Sequence, residues 1–324
     1  MAILASRYGI VPTAVIPETS GHDAVTRAWR VATAASEHAF FLKGRPADSR
    51  LEVAGRIAAH LQDRGFREVV APIATTDGSP AVHAAEASLA LFPFVEGRRA
   101  MDVGLGNADW ERLGRFARRL HESTLPADLE GLIPHEAFRI REVEAFERVD
   151  RAATQATQAT AEARDVAAAW RRNRDVIAAI VERTVTLGRE AAERGLQLVT
   201  CHADLHTGNV LVDPAGDLWV FDWDEVVAAP KERDLMFFIG GISRGMVGEP
   251  ATASFLRGYG DADVDPVALA YYRHAWATQD VVGYAEQVLV EASRSDDDRV
   301  EAARIFEVLF RPGEIVDIAR STEV

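Results

Sequence analysis

The sequence predicts an α+β fold, with a small β-rich N-terminal lobe at residues 1–94 and a larger helical C-terminal lobe at residues 95–324. Before Gly97, short apolar runs alternate with turn residues, and only one long helical pattern occurs. After Gly97, amphipathic helical patterns dominate, and one β-hairpin pattern at residues 198–222 interrupts them. These observations divide the chain into a β-rich part, a short connector and a helical part.

Each element of the N-terminal lobe follows from a local pattern. Five short apolar runs predict strands, at residues 9–17, 28–31, 39–43, 69–75 and 88–92. Apolar residues at helical spacing predict a helix over residues 49–64, and Gly65 stands where a C-terminal cap is expected. The lobe therefore consists of strands with one helix among them.

Helical patterns make up most of the C-terminal lobe. They cover residues 109–122, most of 136–194, 266–290 and 298–310. The segment 153–165 is low in complexity, and both a helix and a loop over a cleft fit it. Short strands on either side of the turn at residues 213–217 predict the hairpin.

Composition limits the classes of function. The 324 residues have 48% hydrophobic and 27% charged content, as in a globular protein. The formal net charge of −14 argues against nucleic acid or an anionic membrane as the main partner. It suits a cationic ligand, but an ordinary acidic cytosolic protein explains it at least as well. A single cysteine excludes an intrachain disulfide, and without a signal-peptide pattern or a membrane-spanning run we expect a cytoplasmic protein.

The most informative motif sets Asp204 five residues before Asn209, with Asp222 returning beside them across the predicted hairpin. Phosphoryl transfer needs one carboxylate to orient the attacking hydroxyl, and an amide and a second carboxylate to hold Mg²⁺ against ATP. Asp204 and Asn209 alone would favour the simpler interpretation as loop caps. The complete pattern predicts Asp204 as catalytic residue, and Asn209 and Asp222 as metal ligands.

A lysine at the end of the third predicted strand completes a nucleotide site. Lys43 can pair with the α- and β-phosphates, and Glu52 on the following helix can hold it there. Glu52 is also explained by the preference for acidic residues in a first helical turn. With its two lobes, the chain is predicted to have a protein-kinase-like bilobal fold that binds ATP.

The remaining nucleotide contacts are predicted from the connector and the first loop. Pro93 offers a carbonyl and Val95 an N–H to adenine, although an ordinary apolar loop also fits residues 89–97. Ser20 lies in the loop that would cover the phosphates, but this loop has only one glycine. No Walker-type sequence is present, which disfavours a P-loop enzyme.

The histidines near Asp204 admit two interpretations. Cys201, His202 and His206 are soft metal ligands, but no second Cys or His pair has zinc-site spacing. His202 fits better as a structural residue of the loop. For His206, contact with the γ-phosphate and simple packing are equally consistent with the sequence.

Acidic residues after Asp222 are candidates for binding the ammonium groups of an acceptor. The candidates are Asp224, Glu225, Glu232, Asp234, Asp280 and Glu286, although a solvated acidic face explains a charge run as well. For Asp234, pairing with Lys231 or Arg233 is the alternative.

The motifs CHADLHTGNVLVD and VFDWDE resemble those of the aminoglycoside phosphotransferase and choline kinase-like families. Within them, LFPFVEG, APKERDLMFFIGG and YYRH look most like spectinomycin phosphotransferases. This resemblance implies transfer of the γ-phosphate of ATP to a hydroxyl of a cationic antibiotic. It implies Asp204 as base, Asn209 and Asp222 as Mg²⁺ ligands, and Lys43 as the phosphate-binding lysine.

One departure concerns the acceptor. Charged residues follow YYRH in that family, whereas Ala275 and Trp276 follow it here, and we expect Tyr272 and Trp276 to border the acceptor. The alternatives are a kinase of another aminoglycoside or small hydroxylated amine, and a nucleotide-binding pseudokinase. A protein kinase is disfavoured, because no segment resembles a peptide-docking activation loop.

Overall fold

The computed structural model describes the whole chain except residues 19–25, 35–38, 48–49, 85, 156–159, 292–293 and 323. It divides into two compact units. The first unit comprises residues 1–134 and 202–228, and the second comprises residues 135–201 and 229–324. The predicted hairpin therefore belongs to the first unit. The lobe boundary expected after residue 94 stays a prediction.

The chain up to residue 134 contains an antiparallel sheet and short helices. Its described elements, in order, are α1 (Ala2–Tyr8), β1 (Pro12–Glu18), β2 (Arg27–Thr33), β3 (Phe40–Pro46), α2 (Arg50–Asp63), β4 (Val82–His83), β5 (Ala87–Pro93), β6 (Arg98–Arg99), α3 (Ala100–Val103), α4 (Asn107–His121) and α5 (Ala127–Glu130).

The rest of the chain is mainly helical, with short strands in its middle. The described elements are α6 (Arg141–Thr154), α7 (Ala161–Glu193), β7 (Val199–Cys201), a 3₁₀ turn (Thr207–Asn209), β8 (Val210–Val212), β9 (Leu218–Val220), β10 (Val227–Ala229), α8 (Glu232–Leu235), α9 (Glu249–Tyr259), α10 (Pro266–Leu289), α11 (Asp296–Val308) and α12 (Ile315–Arg320). An antiparallel sheet before a helical region confirms the predicted α+β class.

The larger sheet places Lys43 on its central strand. The strand order is β1-β2-β3-β5-β4, and Lys43 on β3 pairs with Ala28 on one side and Ala90 on the other. Leu42 and Leu91 are buried on this sheet with Leu4 of α1. Because β3 has a neighbour on each side, the sheet fixes the position of Lys43.

Two N-terminal elements differ from the prediction. Residues 69–75 do not form a strand; Val69 makes a single bridge to Val220, and Pro72 has no N–H for a ladder. α1 was not predicted, although Gly9 ends it with a φ of 67° in the left-handed region that favours glycine. Both elements are too short for a clear periodic signal.

The second unit is built around α7 and α10. Trp170 is fully buried in its core and stacks on Phe306 at a centroid distance of 6.4 Å. Thr160 caps α7 by accepting a hydrogen bond from the N–H of Ala163, so the described part of the low-complexity segment is the end of α6 and the start of α7. No helix among the described residues combines the length and apolar character that a membrane crossing needs.

Gly188 allows the segment before α6 to approach α7. A Cβ at this position would lie 2.6 Å from the carbonyl oxygen of Phe138 and 3.1 Å from Tyr271. Phe138 itself has a φ of 52° and packs edge-on against Tyr271. Any side chain at position 188 would therefore displace backbone.

We predict that Gly188→Ala lowers the free energy of unfolding by about 1–3 kcal/mol through this overpacking. Gly283→Ala is the matched control, because a Cβ there would meet no atom within 4 Å in the middle of α10. It should raise the free energy of unfolding by about 0.5–1 kcal/mol, since alanine is the better helix former. Urea denaturation measures both, and equal effects of the two changes would contradict the steric argument.

Candidate functional site

The hairpin of β8 and β9 brings the metal-ligand candidates together. Val210 pairs with Val220 in an antiparallel ladder, and the turn between the strands is held by Asp213. The N–H of Phe221 then donates to the carbonyl of Asn209 at 3.2 Å. Asp222 is the next residue, so the sequence-predicted neighbours Asn209 and Asp222 lie at the same end of the hairpin.

A short turn closes Asp204 onto Asn209. The Nδ2 of Asn209 donates to the Oδ2 of Asp204 at 2.6 Å and to its carbonyl oxygen at 2.9 Å. Both donors of the amide are thereby used. Within the described residues its Oδ1 accepts no hydrogen bond, and the side chain is buried. The spacing of five residues thus sets an oriented carboxylate beside an available amide oxygen.

His202 connects the segment that carries Asp204 to the segment that carries Asp222. Its Nδ1 accepts the N–H of Asp204 at 3.3 Å, and its Nε2 lies 3.0 Å from the carbonyl oxygen of Phe221. A carbonyl only accepts, so Nε2 holds the proton in this pair. The ring is fully buried against Trp223, at a centroid distance of 4.6 Å. His202 is therefore a structural residue of the loop.

The zinc interpretation does not fit these contacts. Both ring nitrogens of His202 bind backbone groups. Cys201 is fully buried with its Sγ 3.6 Å from the carbonyl oxygens of Ala229 and Pro230, and burial raises the pKa of its thiol. A neutral thiol and a fully engaged imidazole are poor zinc ligands.

His206 contacts the second oxygen of Asp204. Its Nε2 lies 3.4 Å from Asp204 Oδ1, while its Nδ1 accepts the N–H of Gly208 at 3.0 Å. Asp204 therefore has Asn209 at one carboxylate oxygen and His206 near the other. Contact between His206 and a phosphate stays a prediction.

Two residues in these loops have a strained backbone. Ala203 has a φ of 67° and Asp222 a φ of 65°, in the left-handed region that costs a non-glycine residue about 1–2 kcal/mol. Each strained residue adjoins a hydrogen-bonded neighbour, Asp204 in one case and Phe221 in the other. The contacts of His202 hold both segments in these conformations.

Lys43 lies against two aspartates. Its Nζ is 2.7 Å from Asp222 Oδ1 and 2.8 Å from Asp224 Oδ2, and Arg45 donates to the same oxygen of Asp224. Desolvation of Asp222 raises the pKa of its carboxyl, but attraction to Lys43 outweighs this and lowers the pKa below its ordinary value. Desolvation likewise opposes the charge on Lys43, and the two aspartates raise the pKa of its ammonium overall.

Three acidic candidates have other partners than predicted. Glu52 does not hold Lys43; its Oε2 pairs with His83 Nε2 at 2.8 Å. Asp224 does not present its carboxylate to solvent, because Lys43 and Arg45 bind it. Glu225 is half exposed and pairs with Arg50 at 3.1 Å. The prediction missed Arg45, although the spacing of two residues in Lys43 and Arg45 matches that in Asp222 and Asp224.

The connector offers the backbone groups expected of an adenine contact. Pro93 ends β5 opposite Phe40, and the N–H of Phe94 donates to the carbonyl of Ala39. In the part of the chain that the structure describes, the N–H of Val95 donates to no acceptor. Ser20, the candidate in the first loop, lies outside the described residues.

The candidates on α10 follow one another at intervals of four residues. Tyr272 is fully buried and packs on Tyr271, and its expected place beside the acceptor stays a prediction. The guanidinium of Arg233 lies 5.5 Å from the ring centroid of Tyr272 and 5.8 Å from that of Trp276. Ala275 is buried beside them.

Asp280 is an unusual acid of the second unit. Desolvation raises the pKa of its carboxyl to about 7; the nearby indole of Trp276 opposes this shift and the nearby Glu142 adds to it. Its charge therefore changes within the physiological pH range. If Asp280 binds a cationic acceptor, its affinity for that cation would fall as its carboxyl becomes protonated at lower pH.

We predict that Asp280→Asn alters the pH dependence of stability. An unfolded aspartic acid has a pKa of about 3.9, so between that pH and about 7 the folded chain retains a proton that the unfolded chain has lost. The stability that this proton gives is complete below the unfolded pKa and is lost as the pH rises through 7. The melting temperature of Asp280→Asn relative to wild type should therefore rise from pH 5 to pH 8.

Thermal melts across this range measure the difference. Asp128→Asn is the control, because its carboxylate is 68% exposed and pairs with Arg56 at the surface. If the melting temperature of Asp280→Asn relative to wild type changes with pH no more than that of the control, the raised pKa of Asp280 is contradicted.

Solved structures resemble the entire chain. Spectinomycin phosphotransferase in complex with ADP and spectinomycin has a TM-score of 0.87 and 26% sequence identity, covering 99% of this chain and 96% of that chain. Its AMP complex has a TM-score of 0.83 and 26% identity, and the match covers 100% of this chain and 98% of that chain. An ethanolamine kinase from Plasmodium vivax, at 13% identity, a TM-score of 0.60 and coverage of 99% and 88%, supports the fold alone.

These matches confirm the predicted kinase-like fold. Comparison with curated protein sequences finds no significant match. The model of the phosphotransferase enzyme family matches residues 19–275, which is well over half of the chain. The chain therefore belongs to the phosphotransferase enzyme family and is a small-molecule phosphotransferase.

Proposed function

We propose that the chain transfers the γ-phosphate of ATP to a hydroxyl of a small cationic antibiotic, with spectinomycin as the first candidate acceptor. One observation supports this proposal most directly. The side-chain amide of Asn209 donates a hydrogen bond of 2.6 Å to the carboxylate of Asp204. Phe221 hydrogen-bonds the backbone carbonyl of Asn209, and Asp222 is the next residue. This combination supplies one carboxylate for the acceptor and a separate amide–carboxylate pair for a metal ion.

Asp204 would act as the catalytic base. Its carboxylate is one-quarter exposed, and Asn209 fixes one of its oxygens. It would orient the acceptor hydroxyl and take its proton as the oxygen attacks the γ-phosphorus. The bond from the γ-phosphorus to the bridging oxygen then breaks, and ADP leaves. Most of the acceleration would come from position and charge.

The chain's own groups also suit the nucleotide. Lys43 would bind the α- and β-phosphates, and His206, whose Nε2 is 3.4 Å from Asp204 Oδ1, would contact the γ-phosphate. Adenine would accept from the N–H of Val95 and donate to the carbonyl of Pro93. Solved relatives bind ADP and AMP, which supports ATP as the phosphate donor.

The residues fit a magnesium ion. Asn209 Oδ1 accepts no hydrogen bond from a described residue, and Asp222 uses only its Oδ1 for Lys43. Amide and carboxylate oxygens are the ligands that Mg²⁺ prefers. Asn209 and Asp222 would therefore hold Mg²⁺, which when bound would neutralise charge on the phosphates.

The acceptor is proposed from similarity and charge. Spectinomycin is bound in a relative that this chain matches over 99% of its length. The net charge of −14 would favour the approach of a cation, and Trp276 with Asp280 provides an aromatic and an acidic group on α10. Nucleic acid and membranes are not proposed as partners. Since ATP is the donor, a cytoplasmic location follows from the proposal.

The experiment is Mg-ATP-dependent ADP release with a panel containing spectinomycin, other aminoglycosides and small amino alcohols. Turnover with spectinomycin alone would support the assignment. Turnover with a different compound would support the phosphotransfer mechanism but not spectinomycin as the acceptor. The change of acceptor would then be attributed to Ala275 and Trp276. Mg-ATP binding without turnover of any acceptor would favour the pseudokinase alternative.

We predict that Asp204→Asn lowers kcat by about 10²–10⁴-fold, as expected when a positioned base is removed, and leaves Mg-ATP binding within about twofold. Asp217→Asn is the control on the same hairpin, since its carboxylate is 69% exposed. It should keep wild-type turnover. Turnover by Asp204→Asn at the level of this control would refute the role of Asp204.

A further inference from the structure

Two cations on β3 match two carboxylates after β9. Lys43 and Arg45 are separated by one residue, so both side chains lie on the same face of the strand. Asp222 and Asp224 are also separated by one residue, and Trp223 between them is buried against His202 and Phe116. The ion pairs show that both carboxylates are directed at this pair of cations.

The two aspartates differ in exposure. The side chain of Asp224 is 7% exposed, whereas that of Asp222 is 39% exposed. One oxygen of Asp224 receives both Lys43 and Arg45, while the ion pair of Asp222 within the described residues is with Lys43. Asp222 thus has a free oxygen and access to a ligand, and Asp224 is committed to the two cations.

The helix that follows β3 supplies no alternative partner for Lys43. Glu52 pairs with His83, whose Nδ1 in turn lies 2.9 Å from the hydroxyl of Ser88. Lys43 is 8% exposed, and its ion pairs in the described chain are those with Asp222 and Asp224. An ammonium this deeply buried needs a permanent counter-charge.

We propose that Asp224, held in place by Arg45, is the positioning residue that keeps Lys43 aligned for the nucleotide phosphates. The inference rests on the proposed function, in which Asp222 binds the metal ion and shares its charge with it. Asp224 then remains ion-paired with Lys43 when the metal ion is bound. Holding Lys43 in place is the role that the sequence suggested for Glu52.

The test is binding of ADP and Mg-ATP by calorimetry in the absence of any acceptor. Asp224→Asn should weaken both nucleotides about tenfold, the size of one charged hydrogen bond. The loss should persist in EDTA, because it acts through Lys43 rather than through a metal. Glu52→Gln should change binding less than twofold, and Asp224→Glu should recover part of the loss. Asp128→Asn is the control for removing a surface carboxylate of the same unit.

A double-mutant cycle separates positioning from a general loss of structure. If Asp224 acts through Lys43, adding Asp224→Asn to Lys43→Ala should weaken binding no further. Melting temperatures check that each variant folds.

Three outcomes would overturn the inference: additive effects in the cycle, a loss confined to solutions with Mg²⁺, or an equal loss from Glu52→Gln. If the wild-type chain binds Mg-ATP and one of these occurs, only this inference fails. If the wild-type chain does not bind Mg-ATP, the proposed function fails with it.

Discussion

The buried ammonium of Lys43 is the constraint on which the rest of the site depends. A charge removed from water is costly unless it is paired, so the structure must bring carboxylates to the central strand of the sheet. It does so with Asp222 and Asp224, which lie 2.7 and 2.8 Å from the ammonium. These aspartates are distant in sequence, and their positions are set by the hairpin of β8 and β9. The charge pairing thereby ties the hairpin to the sheet within the first unit.

The same arrangement explains where backbone strain is tolerated. Ala203 and Asp222 both have positive φ, a conformation that their side chains disfavour. The imidazole of His202 binds backbone groups next to each of them. A neutral, buried histidine is well suited to this task because one nitrogen donates and the other accepts. The strained residues thus form part of a cross-linked pair of loops that sets the direction of Asp204 and Asp222.

The sequence predicted the architecture wherever a pattern was long or chemically specific. The helix expected over residues 49–64 is α2 (Arg50–Asp63), and the hairpin after Asn209 forms as expected. Residues 69–75 were wrongly predicted as a strand, because apolar character there reflects packing of an extended segment that contains Pro72.

At the site, neighbours in sequence were easier to predict than neighbours in space. The contact between Asp204 and Asn209 is local and follows from a five-residue spacing. The partner of Lys43 was assigned to Glu52 because of sequence proximity, whereas Asp224 is 181 residues further along the chain (224 − 43). The choice between them depends on which distant segment lies beside β3 in the fold. Periodicity within one segment has no information on that tertiary contact. The burial of Tyr272 likewise depends on Phe138 and Tyr271 around it.

The division into two compact units has an evolutionary consequence. Lys43, Asp204, Asn209 and Asp222 all belong to the first unit, whereas Trp276 and Asp280 lie on α10 in the second. Substitutions on α10 therefore fall in a different unit from the one that contains the hydrogen bonds and ion pairs of Asp204 and Lys43. A lineage with this fold can accumulate variation in one unit under selection by a new compound while purifying selection preserves the other.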